Sequence, residues 1–208
     1  MNTYEAIYSR RTIRDFKDKK IDHATLRKIL DAGLHAPSNN HLREWEFIIV
    51  QDEATKLNLI SPVARNITKK NVEAILDSWN AKDGSQREMY FHAIPNQYDM
   101  LLNADCVILP LFYQSWPLLN PTELGSLNAF ASIWCCIENI LLAAVSEGIY
   151  GVTRIPLGNE PEHIKKIIGF PDNYYVPCYI ALGYPKENCK SLSQHLPDIE
   201  TKIHLNHW

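Results

Sequence analysis

The chain has 208 residues, 46% of them hydrophobic and 22% charged, with a formal net charge of -3. This is ordinary globular composition, and the length suffices to bury about 70–75% of the unfolded surface in one domain. A charge this close to zero gives no long-range attraction to nucleic acid or anionic membranes, so neither is expected as a partner and any basic cluster must act locally.

The opening Met1-Asn2-Thr3-Tyr4-Glu5 lacks the basic start and apolar run of a secretory signal. Uninterrupted apolar stretches such as Cys106 to Tyr113 and Ile140 to Val145 fall well short of the ~20 residues that span a bilayer. The five cysteines, at 106, 135, 136, 178 and 189, include no C-x-x-C pair. A soluble, cytoplasmic protein with reduced thiols is expected, and Asn66-Ile67-Thr68 is read as a chance glycosylation match.

Taken in chain order, a short helix can begin after Thr3. A second is better marked: Asp22 serves as N-cap, and Leu26, Ile29, Leu30 and Leu34 form one stripe at helical spacing. It stops at Ala36-Pro37 because proline disfavours helical geometry in the residue before it. Trp45 to Val50 reads as a strand, and Asp52 caps a helix running toward Ile60. A longer polar helix is expected from about Ser61 to Asn80, with Pro62 in its first turn.

Residues 81 to 104 carry no clear period. Cys106 to Leu109 and Tyr175 to Leu182 read as buried strands, being apolar and partly β-branched. Between them the most hydrophobic helix runs from about Leu124 to Glu147 and ends at Gly148 as the C′ residue. It is apolar nearly all round, so several sides must be covered, by a sheet and by another subunit. There is no repeat, low-complexity tract or linker at which to divide the chain, and one domain over 1–208 is expected.

Missing motifs narrow the chemistry. None of the eight glycines forms G-x-G-x-x-G or G-x-x-x-x-G-K, so Rossmann and P-loop phosphate cradles are absent. G-x-S-x-G and H-E-x-x-H are absent too. The positive signal is Ser9-Arg10-Arg11-Thr12-Ile13-Arg14-Asp15-Phe16. Three arginines in five positions supply forked donors suited to phosphate oxygens, and the plain alternative is a solvated basic helix end favoured by the helix dipole. The second element is Ala36-Pro37-Ser38-Asn39-Asn40-His41-Leu42-Arg43-Glu44-Trp45. Its turn puts amides and a hydroxyl where they can bind a polar ring edge, or can simply close the turn.

In this order and spacing the two elements resemble the nitroreductase family, with its Arg-Arg-Ser/Thr-x-Arg opening and its Ala-Pro-Ser turn ahead of a Trp-led strand. The similarity continues in Glu138-Asn139-Ile140-Leu141-Leu142-Ala143-Ala144, Gly148-Ile149-Tyr150-Gly151, Ile168-Gly169-Phe170-Pro171, Ala181-Leu182-Gly183-Tyr184-Pro185 and the closing Ile203-His204-Leu205-Asn206-His207-Trp208. Residues 55–120 are the variable portion.

The resemblance implies an α+β fold with helices around a mainly antiparallel sheet, and an intertwined homodimer with FMN at the subunit interface. By position, Arg10, Arg11, Thr12 and Arg14 would bind the FMN phosphate, ribityl chain and N1–O2 edge. Pro37, Ser38, Asn39 and Asn40 would lie beside the ring, from the partner subunit. Val152-Thr153-Arg154-Ile155 corresponds to the loop over the flavin, whose backbone N–H points at N5. His41 and Arg43-Glu44 depart from the family's Asn and Gln-Pro, and the late basic residue of the phosphate site falls among Lys186, Lys190 and His195.

The implied activity is ping-pong hydride transfer from NADH or NADPH through FMN to a small aromatic, quinone or nitro acceptor. An FMN sensor or store without turnover, or a member with dehalogenase or dehydrogenase chemistry, is the alternative. Acceptor contacts are expected from His41, Arg43, Tyr98 and Trp116, within a set of rings that also includes Trp79, Tyr90, Phe91 and Phe112, each of which has core packing as its plain alternative. His204 and His207 are read as part of the closing pattern and not as metal ligands, and Cys135-Cys136 as packing.

Overall fold

The computed structural model describes residues 1–189 and 196–208. Lys190 and His195, two of the three candidates for the late basic residue, lie outside the described residues. The chain forms two compact units, the first Met1–Arg65 with Asn96–Cys189, the second Asn66–Pro95 with the C-terminal residues.

The first unit opens with helix α1 (Thr3–Ser9), whose N-terminus is closed by a reciprocal Asn2/Glu5 capping box. Helix α2 (His23–Leu34) follows with Asp22 accepting from the Thr25 N–H, and its stripe buries Leu26 and Ile29. Strand β1 (Trp45–Val50) and helix α3 (Glu53–Leu59), capped by Asp52, fall where the sequence puts them.

The next segment differs from expectation. Helix α4 is confined to Lys69–Ser78 because a capping box between Thr68 and Asn71 starts it there, and Asn66 just before has left-handed backbone. The region without a readable period holds α5 (Gly84–Ala93) and α6 (Gln97–Asn103). Within the second unit, α4 and α5 pack through Val72, Leu76, Ala81 and Ile94.

Strand β2 (Cys106–Tyr113) runs four residues beyond the expected Leu109, through Pro110. Proline is unusual inside a sheet because it donates no ladder bond. Here β1 lies on one side of β2, while the other side pairs with two separate strands, so Pro110 faces the gap between them. Helix α7 (Asn128–Ser146), entered through a 3₁₀ turn at Leu124–Leu127, ends before Gly148 at φ 70°.

Strand β3 (Tyr150–Arg154) then leads to α8 (Glu160–Ile168). The expected strand 175–182 is two pieces, β4 (Tyr174–Tyr175) and β5 (Tyr179–Gly183), separated at Val176-Pro177-Cys178. One residue more on this side than on β2 between the Ile108–Ile180 and Phe112–Tyr175 pairs makes the break a bulge.

All ladders are antiparallel, in the order β1-β2-β5-β3 with β4 also on β2. Alternation along β2 builds two cores. Cys106, Ile108 and Phe112 face α2 and α7 through Leu26, Ile29, Ile133, Cys136, Ile137 and Ile140. Val107 and Leu109 face α3, α6 and α8 through Leu59, Leu101 and Ile164. The architecture is therefore α+β, with helices on both faces of an antiparallel sheet.

Among the described residues one helical stretch, Leu124–Ser146, is long and apolar enough to cross a membrane. It begins with the 3₁₀ turn, and its buried stripe belongs to the core against α2 and the sheet. Of the adjacent cysteines on it, Cys136 packs inside while Cys135 is exposed, so packing accounts for only one. Burial pushes the Cys136 thiol up to about 12 and does the same to Cys106 on β2.

Candidate functional site

After α1 the chain turns extended at Arg10 and runs along the free edge of β3. Thr12 forms a parallel bridge with Gly151, and the Ile13 N–H donates to the Gly151 carbonyl at 3.3 Å. Ile13 and Phe16 anchor this segment in the core, which leaves Arg10, Arg11 and Thr12 on the rim of a cavity of about 210 Å³. Thr153 and Gly151 line its sheet side, and Trp134, Ile137 and Leu141 of α7 its apolar side.

Glycine at 151 is required there: a Cβ would stand 2.5 Å from Leu182 Cδ2 and 2.7 Å from the Ala181 carbonyl oxygen. The charges are partly engaged. Arg10 Nε lies 3.4 Å from Glu138 Oε1, and Arg11 Nη1 donates to the Tyr8 carbonyl at 2.7 Å and the Arg10 carbonyl at 2.8 Å. Arg11 thus caps the end of α1, as the plain helix-end reading expects, yet a guanidinium has five N–H donors and these bonds use one nitrogen. A polar, cationic rim over an apolar wall suits an anion joined to a flat ring system.

The turn after α2 builds a second, larger cavity of about 370 Å³, lined among others by Ser38, Asn39, Asn40, Arg43, Gln114 and Trp116. Asn40, His41 and Arg43 all have left-handed backbone, at φ 51°, 57° and 47°, an uncommon state for residues with side chains. It is held by local bonds. The Asn39 N–H donates to Ser132 Oγ at 2.9 Å, the Arg43 N–H to Ser38 Oγ at 3.2 Å, and Arg43 Nε to the Leu34 carbonyl at 3.0 Å.

The structure therefore gathers Arg10, Arg11, Thr12 and Thr153 about one cavity and Ser38, Asn39, Asn40, Arg43 and Trp116 about another. Pro37, His41 and Ile155 are exposed and line neither, and the half-buried Arg14 lines neither. Arg43 spends its guanidinium on backbone carbonyls. Tyr98 sits in the core, 7% exposed, with Arg65 stacked 3.7 Å over its ring, so core packing accounts for it. Phe112 is also buried, yet it lines the same cavity as Trp116, while Trp79 and Tyr90 pack edge to face on each other in the second unit. Arg154 is buried, its guanidinium gripping Glu160.

His204 stacks on Trp208 with ring centroids 4.4 Å apart. Trp134, Glu138, Leu141 and Gly151 were not singled out as site residues by sequence. Their signal was the second apolar side of α7, together with a glycine inside a short β-branched run.

The Nitroreductase family model matches residues 7–184. A Thermus thermophilus NADH dehydrogenase is 26% identical over 193 residues, 88% of this chain and 86% of that protein. An iodotyrosine deiodinase of Thermotoga neapolitana is 22% identical, covering 88% of this chain and 89% of its own. Among solved structures, an FMN-dependent nitroreductase of Clostridium difficile superposes with TM-score 0.68 at 23% identity, over 99% of each chain.

Proposed function

The chain belongs to the Nitroreductase family, and on that footing we propose that it is an FMN-dependent NAD(P)H oxidoreductase. It acts as a single FMN-binding domain per subunit of a cytoplasmic homodimer, passing hydride to a small aromatic, quinone or nitro acceptor in a ping-pong sequence. The observation that carries the reading is the cavity where Arg10, Arg11 and Thr12 meet Thr153 across Gly151. FMN supplies the hydride acceptance and donation when bound.

The chain's own residues bind and orient. Arg10, Arg11, Thr12 and Arg14 would hold the phosphate, ribityl chain and N1–O2 edge with charge-assisted N–H donors, and the backbone of 153–155 would offer its N–H at the ring. Pro37, Ser38, Asn39 and Asn40 would come from a second copy, a reading supported by the position of the latter three around a cavity other than that of Arg10. Exposed Tyr4, Ile7 and Tyr8 on α1 supply apolar surface for such a contact. No side-chain acid or base is needed for hydride transfer, so the site's work is electrostatic and positional.

The iodotyrosine deiodinase relative supports a second reading, reductive dehalogenation at the same site, distinguished by whether NAD(P)H-driven turnover releases iodide from iodotyrosine. For the main reading the test is Arg10→Ala with Arg11→Ala, the two guanidinium groups on the cavity rim. Losing two charge-assisted partners weakens FMN binding on the order of 10²- to 10⁴-fold, with the protein still folded by circular dichroism. Full FMN occupancy in that variant contradicts the placement.

A further inference from the structure

Next to the cavity lies a buried ion pair whose side chains neither line it nor reach the proposed cofactor contacts. Arg154, the last residue of β3, is 8% exposed and Glu160, the first of α8, is 4% exposed. Their contact is two-pronged, Nη1 to Oε2 at 2.5 Å and Nη2 to Oε1 at 2.7 Å. Arg154 Nε donates at 2.6 Å to Gln97 Oε1 in the first turn of α6, and Tyr179, the cross-strand partner of Arg154, lies buried beside the guanidinium.

Stability alone does not account for such a pair. Desolvating two charges costs about as much as their attraction returns, and an apolar pair of similar volume would hold the fold as well or better. What a forked, planar pair adds is fixed geometry. It closes the five residues 155–159 into a loop pinned at both ends, with Ile155 and Leu157 turned out at 58% and 60% exposure, while Thr153, one residue before the arginine, lines the cavity.

We propose that Arg154 and Glu160 are positioning residues, whose buried pair fixes the backbone of Thr153–Ile155 at the edge of the Arg10–Thr12 cavity and so sets how the cofactor ring is held. The assignment rests on the FMN reading above. Arg154 touches no reacting atom on this account and acts through the backbone it anchors.

The test is the double variant Arg154→Met with Glu160→Gln, which removes both charges and leaves neither buried alone. Three quantities are read: melting temperature, amide hydrogen exchange at 153–159 in cofactor-free protein, and the Kd and midpoint potential of FMN. The expected result is a melting temperature near that of the unaltered protein, faster exchange at 153–159, FMN bound roughly ten-fold more weakly, the loss of about one hydrogen bond's worth, and a shifted potential.

Unchanged Kd and potential in the folded variant overturn the proposal, because a purely structural pair would leave both alone. Should the double variant not fold, Arg154→Lys decides by the same readings: it keeps the charge but not the fork, so a shifted Kd and potential support the proposal and unaltered values overturn it. If the unaltered protein binds no FMN, the functional reading fails by itself, and exchange at 153–159 still shows whether the clamp exists.

Discussion

The Arg10–Thr12 and Ser38–Asn40 cavities of the first unit are built in opposite ways. The Arg10–Thr12 cavity rests on regular structure: an extended segment bridged to β3, a strand glycine packed without spare room, and the wall of α7. The Ser38–Asn40 cavity rests on a turn with three left-handed residues, held by side-chain bonds to backbone. The first suits a group that must always be held in one pose; the second is shaped by local bonds on exposed residues and suits contact with something that arrives, a partner subunit or an acceptor.

Substitutions sharpen the contrast. The largest effect is expected from Gly151→Val, where a branched side chain meets the Ala181 carbonyl and the Leu182 side chain. A loss of about 1–3 kcal/mol is expected in urea unfolding, together with loss of FMN binding, since strand and cavity wall move together. Equal stability to the unaltered protein would show that the strand edge yields more readily than its packing implies.

A smaller effect is expected in the turn. Asn40 at φ 51° tolerates glycine, while Asn40→Val forces a branched residue into left-handed backbone at about 1–2 kcal/mol. Urea unfolding of Asn40→Gly and Asn40→Val side by side measures that difference. A valine variant as stable as the glycine variant would mean that the turn has relaxed to an ordinary conformation and that its geometry is not imposed by the surrounding bonds.

Legibility in sequence followed the same division between regular and local structure. The stripe of α2 and the limits of β1 were readable because each has a cap, a period or a stop within the element itself. The over-long helix from Ser61 failed because the Thr68–Asn71 box outweighed weak periodicity before it. Strand β2 read short because Pro110 ordinarily ends a strand, and only the tertiary gap between β4 and β5 makes room for it.

Strand β3 was hidden by its own glycine, which its close packing demands. In the site, the arginine cluster and the Pro-Ser-Asn-Asn turn were visible as local patterns. The Arg154–Glu160 pair, six residues apart across a loop, and the reach of Glu138 to Arg10 follow no local period and needed the fold to appear.

On the proposed function, the Arg10–Thr12 cavity holds a flavin that NAD(P)H reduces. The most direct test is the visible spectrum of the protein loaded with FMN and freed of excess cofactor, recorded anaerobically before and after adding NADH and then NADPH. Flavin bands that stay with the protein and bleach with at least one of the two are expected. Bound flavin that neither nucleotide bleaches would contradict the oxidoreductase reading, and no retained flavin would contradict the site itself.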